Sequence, residues 1–96
     1  PKETKTYIIK DMIFMRLKGV LTPAEEQLAK RKEGAELVKM TRAQLLEGAR
    51  SLLENIVSDI TGYKVVSLHT DISTKTGERV IVFVLDKNLE NKFRKR

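Results

Sequence analysis

The chain has no cysteine and no tryptophan, one histidine, two prolines and five glycines in 96 residues. Without cysteine there can be no disulfide, no thiolate metal site and no cysteine nucleophile. A single histidine excludes a multi-histidine metal centre within one chain. Aromatic residues are scarce, at 5%, which removes the stacking platforms that single-stranded nucleic-acid binders rely on. No apolar run approaches the roughly 20 residues that a bilayer-spanning helix needs. The longest, Val80 to Leu85, has the length of a buried strand. Glycines are scattered, so no glycine-rich phosphate loop can form by a recognised motif. The polar, charged start carries no signal-peptide pattern, and the expected location is cytoplasmic.

What is present describes one soluble globular domain. Hydrophobic residues make up 41% and charged residues 33%, enough apolar content for one core and too much for a disordered chain. The net charge is +6, but it is unevenly placed. Residues 87–96 hold Lys87, Lys92, Arg94, Lys95 and Arg96 against Glu90 alone, so four of the six excess charges belong to this basic tail. The remaining 86 residues are nearly balanced, which argues against a nucleic-acid surface built into the fold.

Periodicity yields the elements. Thr4 to Lys10 is rich in β-branched and aromatic residues, and Met12 to Lys18 alternates with Ile13, Met15 and Leu17 on one face. The two read as strands joined through Lys10-Asp11 in a hairpin. Thr22-Pro23-Ala24-Glu25 carries a complete helix-start signal. The threonine caps, the proline takes the first helical position, and the glutamate three residues on reaches back to the cap. A short helix is expected from Pro23 to about Lys32, interrupted at Gly34. A long amphipathic helix is expected from about Ala35 to Ile60, with Leu45, Leu46, Ala49, Leu52, Leu53, Ile56, Val57 and Ile60 read as one apolar face. Gly62 closes it. Lys64 to Ser73 alternates again, with Val66, Leu68 and Ile72 on one side and Val65, Ser67, His69, Asp71 and Ser73 on the other. After a turn at Thr74–Gly77, the last strand, Arg79 to Leu85, is apolar on both faces and therefore expected at the sheet centre. The segment after Asp86 is expected as a frayed helix or a solvated end.

The predicted architecture is α+β: a four-stranded, mostly antiparallel sheet built from two hairpins, in the order β-β-α-α-β-β, with a short and a long helix packed on one face. Residues 1–86 form the domain and 87–96 the tail. Two helices cover one side of a sheet, so the second apolar face needs another cover. A homodimer is the expected solution.

Asp11-Met12-Ile13, Leu17-Lys18-Gly19-Val20-Leu21-Thr22-Pro23-Ala24-Glu25, Thr61-Gly62, Val65-Val66, Asp71-Ile72-Ser73-Thr74-Lys75 and Glu78 through Leu85 together resemble, in order and spacing, the MpsC-like family. It is named for the C component of a sodium-translocating, membrane-potential-generating system. The resemblance spans roughly residues 1–86. It implies a small bacterial protein with no established catalytic residues, serving at most as a soluble accessory part of a membrane ion-transport system. It also implies an upstream helix ending in a Gly-x-Gly-Pro turn, with Pro1 as the turn's last residue. That helix is an alternative cover for the second sheet face.

His69 and Asp71, with Ser67 beside them, share a strand face as a base and its orienter would, but no nucleophile accompanies them, and a polar strand face is the preferred reading. Asp71 alone suits a cap for the turn at Ser73. Arg42 interrupts the apolar stripe of the long helix. Its stem is expected to pack while its head reaches water, the alternative being an anion or a subunit contact. Arg94-Lys95-Arg96 suits phosphates or anionic lipid, although a solvated end is preferred. Arg42, His69, Asp71, Arg94, Lys95 and Arg96 are thus the candidate interaction residues, and no cofactor or metal is expected. The leading expectation is a non-enzymatic accessory or regulatory module acting through protein association. The alternative is a nucleic-acid-binding domain using the basic surface and tail.

Overall fold

The computed structural model describes residues 2–94, and the side chains of residues 2–92. Pro1, Lys95 and Arg96 lie outside the described residues, as does the side chain of Arg94. The order is β1 (Glu3–Ile9), β2 (Met12–Lys18), α1 (Pro23–Leu28), α2 (Lys32–Thr61), β3 (Val65–Ser73), β4 (Glu78–Leu85) and α3 (Leu89–Arg94). All strand pairs are antiparallel, in the order β1-β2-β4-β3. The doubly apolar strand is therefore central, as its composition predicts.

In β4, Ile81, Phe83 and Leu85 point toward α2 and are buried. Phe83, 2% exposed, lies opposite Ile13 on one side and Leu68 on the other. Met15 and Leu17 of β2 and Leu46, Leu53 and Val57 of α2 pack against the same cluster. The β3 phase departs from simple alternation. A bulge between Val65 and Ser67 inserts one residue, so Val65 joins the core while Val66 is 65% exposed. The expected face-sharing of Val66 with Leu68 is thereby corrected, since a bulge sets two residues against one on the partner strand.

Thr22 forms the full capping box. Its Oγ1 accepts from the Glu25 amide at 3.2 Å, and its own amide donates to Glu25 Oε1 at 2.9 Å. The helix nevertheless ends at Leu28 rather than near Lys32. Lys30 and Arg31 donate to the carbonyls three residues back, at 3.3 and 3.4 Å, the tighter bonding that closes a helix end. The break precedes Gly34, which lies inside α2. Gly34 is needed there because its backbone approaches the Leu28 carbonyl. A Cβ built on it would sit 1.9 Å from that oxygen.

α2 runs for 30 residues, about 45 Å at 1.5 Å per residue, and outreaches the strands. It ends at Gly62, whose φ of 78° takes the left-handed cap and whose amide donates to the Ser58 carbonyl. The single apolar face expected from Leu45 to Ile60 is in fact two adjacent stripes. Leu46, Leu53 and Val57 meet the sheet. Leu45, Leu52, Ile56 and Ile60 do not, and Ile60 is 74% exposed. The apolar arc is wider than one flat sheet can cover.

Beyond Asp86 the chain turns back onto the domain. Leu89 is fully buried, and its amide and that of Glu90 both donate to the Lys10 carbonyl, at 2.9 and 3.0 Å. The Glu90 carboxylate accepts from the Lys10 amide at 2.8 Å. Lys92 donates to the Thr61 carbonyl at 2.6 Å, where a cation suits the negative end of α2, and lies 4.8 Å from the centre of the Tyr63 ring. Through Lys92, then, the segment expected as a frayed helix or a solvated end is a helix docked on the domain.

Candidate functional site

The sheet face turned away from α2 follows from alternation and register. Tyr7 stands opposite Phe14, Ile9 opposite Met12, Phe14 opposite Val82 and Met12 opposite Val84. Phe14, Val80, Val82 and Val84 are only half-buried, although each sits on an inner strand. Tyr7 and Ile9 are exposed. Among the described residues, α2 packs on the opposite face with Leu46, Leu53 and Val57, and α1 packs against α2. The result is an apolar patch over β1, β2 and β4, with Ser67, His69 and Asp71 of β3 as a polar edge and charge at one end. There Arg16 meets Glu78 through two hydrogen bonds, at 2.8 and 3.3 Å, while Glu3 lies between Lys5 and Lys18. Hydrogen bonding to Arg16 holds the Glu78 carboxyl below its ordinary value.

Arg42 does not reach freely to water. Its guanidinium grips both oxygens of Glu25, at 2.6 and 2.9 Å, and donates to the Val20 carbonyl at 2.7 Å. The expectation of a solvated head is corrected: the cation is used inside the chain, locking α2 to the cap of α1. One carboxylate thus serves two tasks, capping Thr22 and pairing with Arg42. The hydrogen bond from Arg42, followed by the backbone bond from Thr22, holds the Glu25 carboxyl down from 4.5 to about 2. A depressed carboxylate adds stability that is complete above its unfolded value and is lost as pH falls through its folded one. We therefore expect unfolding free energy to decline by about 1–2 kcal/mol between about pH 5 and about pH 2 through this group, after discounting for partial exposure. Arg42→Met should flatten that decline in urea titrations at each pH. An unchanged slope would remove the pair from the account.

His69 and Asp71 are not brought together as a base and its orienter. His69 Nε2 lies 3.0 Å from Ser67 Oγ on an exposed edge. Asp71 pairs instead with Lys39 of α2 at 3.5 Å and accepts from the Ile72 amide at 2.9 Å. The turn after β3 is capped by Ser73, whose Oγ accepts from the Thr76 amide at 3.3 Å, rather than by Asp71. Of the Arg94-Lys95-Arg96 cluster, no side chain is among those described. Among the described residues no group of three or more histidine, aspartate or glutamate side chains stands close enough to hold a metal ion, and no helix is long and apolar enough to cross a membrane.

Two features escaped sequence reading. The Glu25–Arg42 pair joins residues 17 apart whose meeting depends on how α1 folds back on α2. Arg79, the second residue of the most apolar strand, lies on the helix-covered side opposite Ile72. The break it makes in an otherwise apolar alternation was the available signal.

Fold and surface together define a two-layer α+β domain: one antiparallel sheet, helices on one face, an apolar patch on the other. The chain belongs to the family described as Na+-translocating membrane potential-generating system (MpsC), whose model matches residues 1–87. It is similar to the uncharacterized protein YbcI of Bacillus subtilis (strain 168), with 50% identity over 91 residues, covering 95% of this chain and 73% of that protein. It is also similar to the uncharacterized protein YrhF of the same strain, with 29% identity over 91 residues, covering 94% and 75% of the two chains. No solved structure matches.

Proposed function

We propose that the chain is a non-enzymatic accessory or regulatory module that works by association through its open sheet face, with a second copy of itself as the first partner. The observation that carries this is the half-exposed row Phe14, Val82 and Val84 on the two central strands, which water reaches although β4 is apolar on both sides. The whole sheet face is roughly 20 by 23 Å, from four strands at about 4.8 Å and seven residues at about 3.3 Å; its apolar part lies on β1, β2 and β4, and Ser67, His69 and Asp71 of β3 form a polar edge. Two such faces together approach the ~1,000 Å² that marks a specific interface. Burying about 600 Å² of apolar surface is worth on the order of 15 kcal/mol before association costs of similar scale. A two-fold axis sets the apolar half of each face on its counterpart. The family description supports a link to a membrane ion-transport system, in which this chain supplies no membrane-crossing helix from its described residues.

Sedimentation equilibrium over a micromolar concentration series tests the reading. The wild type should behave as a dimer. Val82→Lys should weaken association by about tenfold or more, because it buries an unpaired charge at the centre of the patch, while circular dichroism stays native. A wild type that remains monomeric would contradict the reading.

A further inference from the structure

Arg79 is the one cation that the core side of the sheet receives without an acid to match it among the described residues. Its Nη1 donates to Thr70 Oγ1 at 2.9 Å, and that hydroxyl donates onward to the Val80 carbonyl at 2.8 Å. No ion pair of Arg79 is formed among the described residues, whereas the neighbouring Arg42 is matched by Glu25. A guanidinium carries five N–H donors, so most of those on Arg79 remain available. Arg79 lines a half-open groove of about 280 Å³ between α2 and the β3–β4 hairpin, together with Met40, Ala43 and Ile72 and, at its rim, Lys39, Thr70 and Asp71; it also lines a second hollow with Arg42, Leu45, Leu46 and Ala49. Burial, with the charge of Arg42 adding to it, pushes the Arg79 guanidinium below its ordinary value, and Asp71 only partly offsets this. An anion placed against Arg79 would relieve both effects.

We propose that the groove binds a small monocarboxylate with a short aliphatic body, its carboxylate forked on Arg79 and its apolar part against Met40, Ala43 and Ile72. A planar carboxylate matches the fork of a guanidinium with two parallel hydrogen bonds. The single charge follows from the rim. Lys39 is already paired with Asp71 at 3.5 Å, so Arg79 contributes one unmatched charge, and the Asp71 carboxylate repels a second negative charge on the ligand. Size follows from the groove, which holds roughly nine water volumes at about 30 Å³ each, and hence a ligand of fewer than about ten heavy atoms.

The test is an amide NMR titration of the chain with isovalerate, with inorganic phosphate and isoamylamine as separate arms. Isovalerate should give saturable shifts at Lys39–Ala43 and Thr70–Ile72. Phosphate should bind more weakly and isoamylamine should leave these amides unmoved. Arg79→Gln should weaken isovalerate by about tenfold or more, the worth of a charge-assisted hydrogen bond. Should that variant unfold, Arg79→Lys, which keeps the charge and loses the fork, carries the same test with an expected loss of several-fold. Asp71→Asn should narrow the gap between phosphate and isovalerate. Absence of saturation, equal response to the amine, phosphate outbinding isovalerate, or an affinity indifferent to the Arg79 substitutions would each overturn the proposal.

Discussion

Phe83→Ala should lower the unfolding free energy by about 3–5 kcal/mol, the cost of truncating a buried aromatic whose surroundings close only partly over the space it leaves. The site argues for the upper half of that range. Phe83 lies on the central strand, flanked by Ile13 and Leu68 across the sheet, in the cluster roofed by Leu46, Leu53 and Val57 of α2. Strand neighbours on both sides limit how far the backbone can collapse. Urea denaturation at fixed protein concentration, with an unchanged slope, is the measurement, since any dimer makes the midpoint concentration-dependent. A loss under about 1 kcal/mol would mean that this layer is not the core.

Gly34→Ala is expected to cost about 3 kcal/mol or more, against the direction that helix propensity alone would give. The new methyl would stand 1.9 Å from the Leu28 carbonyl oxygen and 2.8 Å from its carbon. Neither atom is the movable end of a side chain, so relief requires α1 and α2 to separate. That separation pulls on the Glu25–Arg42 clamp that joins the same two helices. Gly48→Ala is the internal control. It lies in the same helix with nothing within 4 Å of the added carbon, so it should stabilise by about 0.5–1 kcal/mol through propensity. Thermal unfolding of the two variants should thus shift in opposite directions. A stabilising Gly34→Ala would show that the α1–α2 junction is loosely held.

Much of this was legible in the sequence wherever a local rule decides the outcome. The Thr22-Pro23-Glu25 cap formed as its chemistry requires, because all its bonds lie within four residues. The central place of β4 followed from apolar residues on both of its faces. The less legible features depend on distant groups. The Val66 bulge answers to the register of β3 against β4, which alternation within β3 does not contain. The outer stripe of α2 resembles its inner stripe in composition, and only the flatness of the sheet separates Leu52 from Leu53. Leu89 is an isolated leucine among charges whose burial depends on the Lys10 turn, far away in sequence. Arg42 was identifiable as an interruption, but its partner Glu25 was already assigned to the cap, and local reasoning had no ground for giving one carboxylate two uses.

The docking of α3 also changes how the basic segment is to be examined. Removing residues 87–96 would take away Leu89 and the Lys92 bond to Thr61 along with the charge. A loss of binding in such a truncation would confound misfolding with electrostatics. Substitution of the cations alone separates the two.

Association through the open face is tested most directly by isotope-filtered NMR on an equal mixture of labelled and unlabelled chains. In that experiment only contacts between copies survive. The account predicts intermolecular contacts from Phe14, Val82 and Val84 to the same row on the partner. Contacts confined to Leu45, Leu52 and Ile56 on the outer stripe of α2, or none at concentrations where the chain sediments as a dimer, would contradict it.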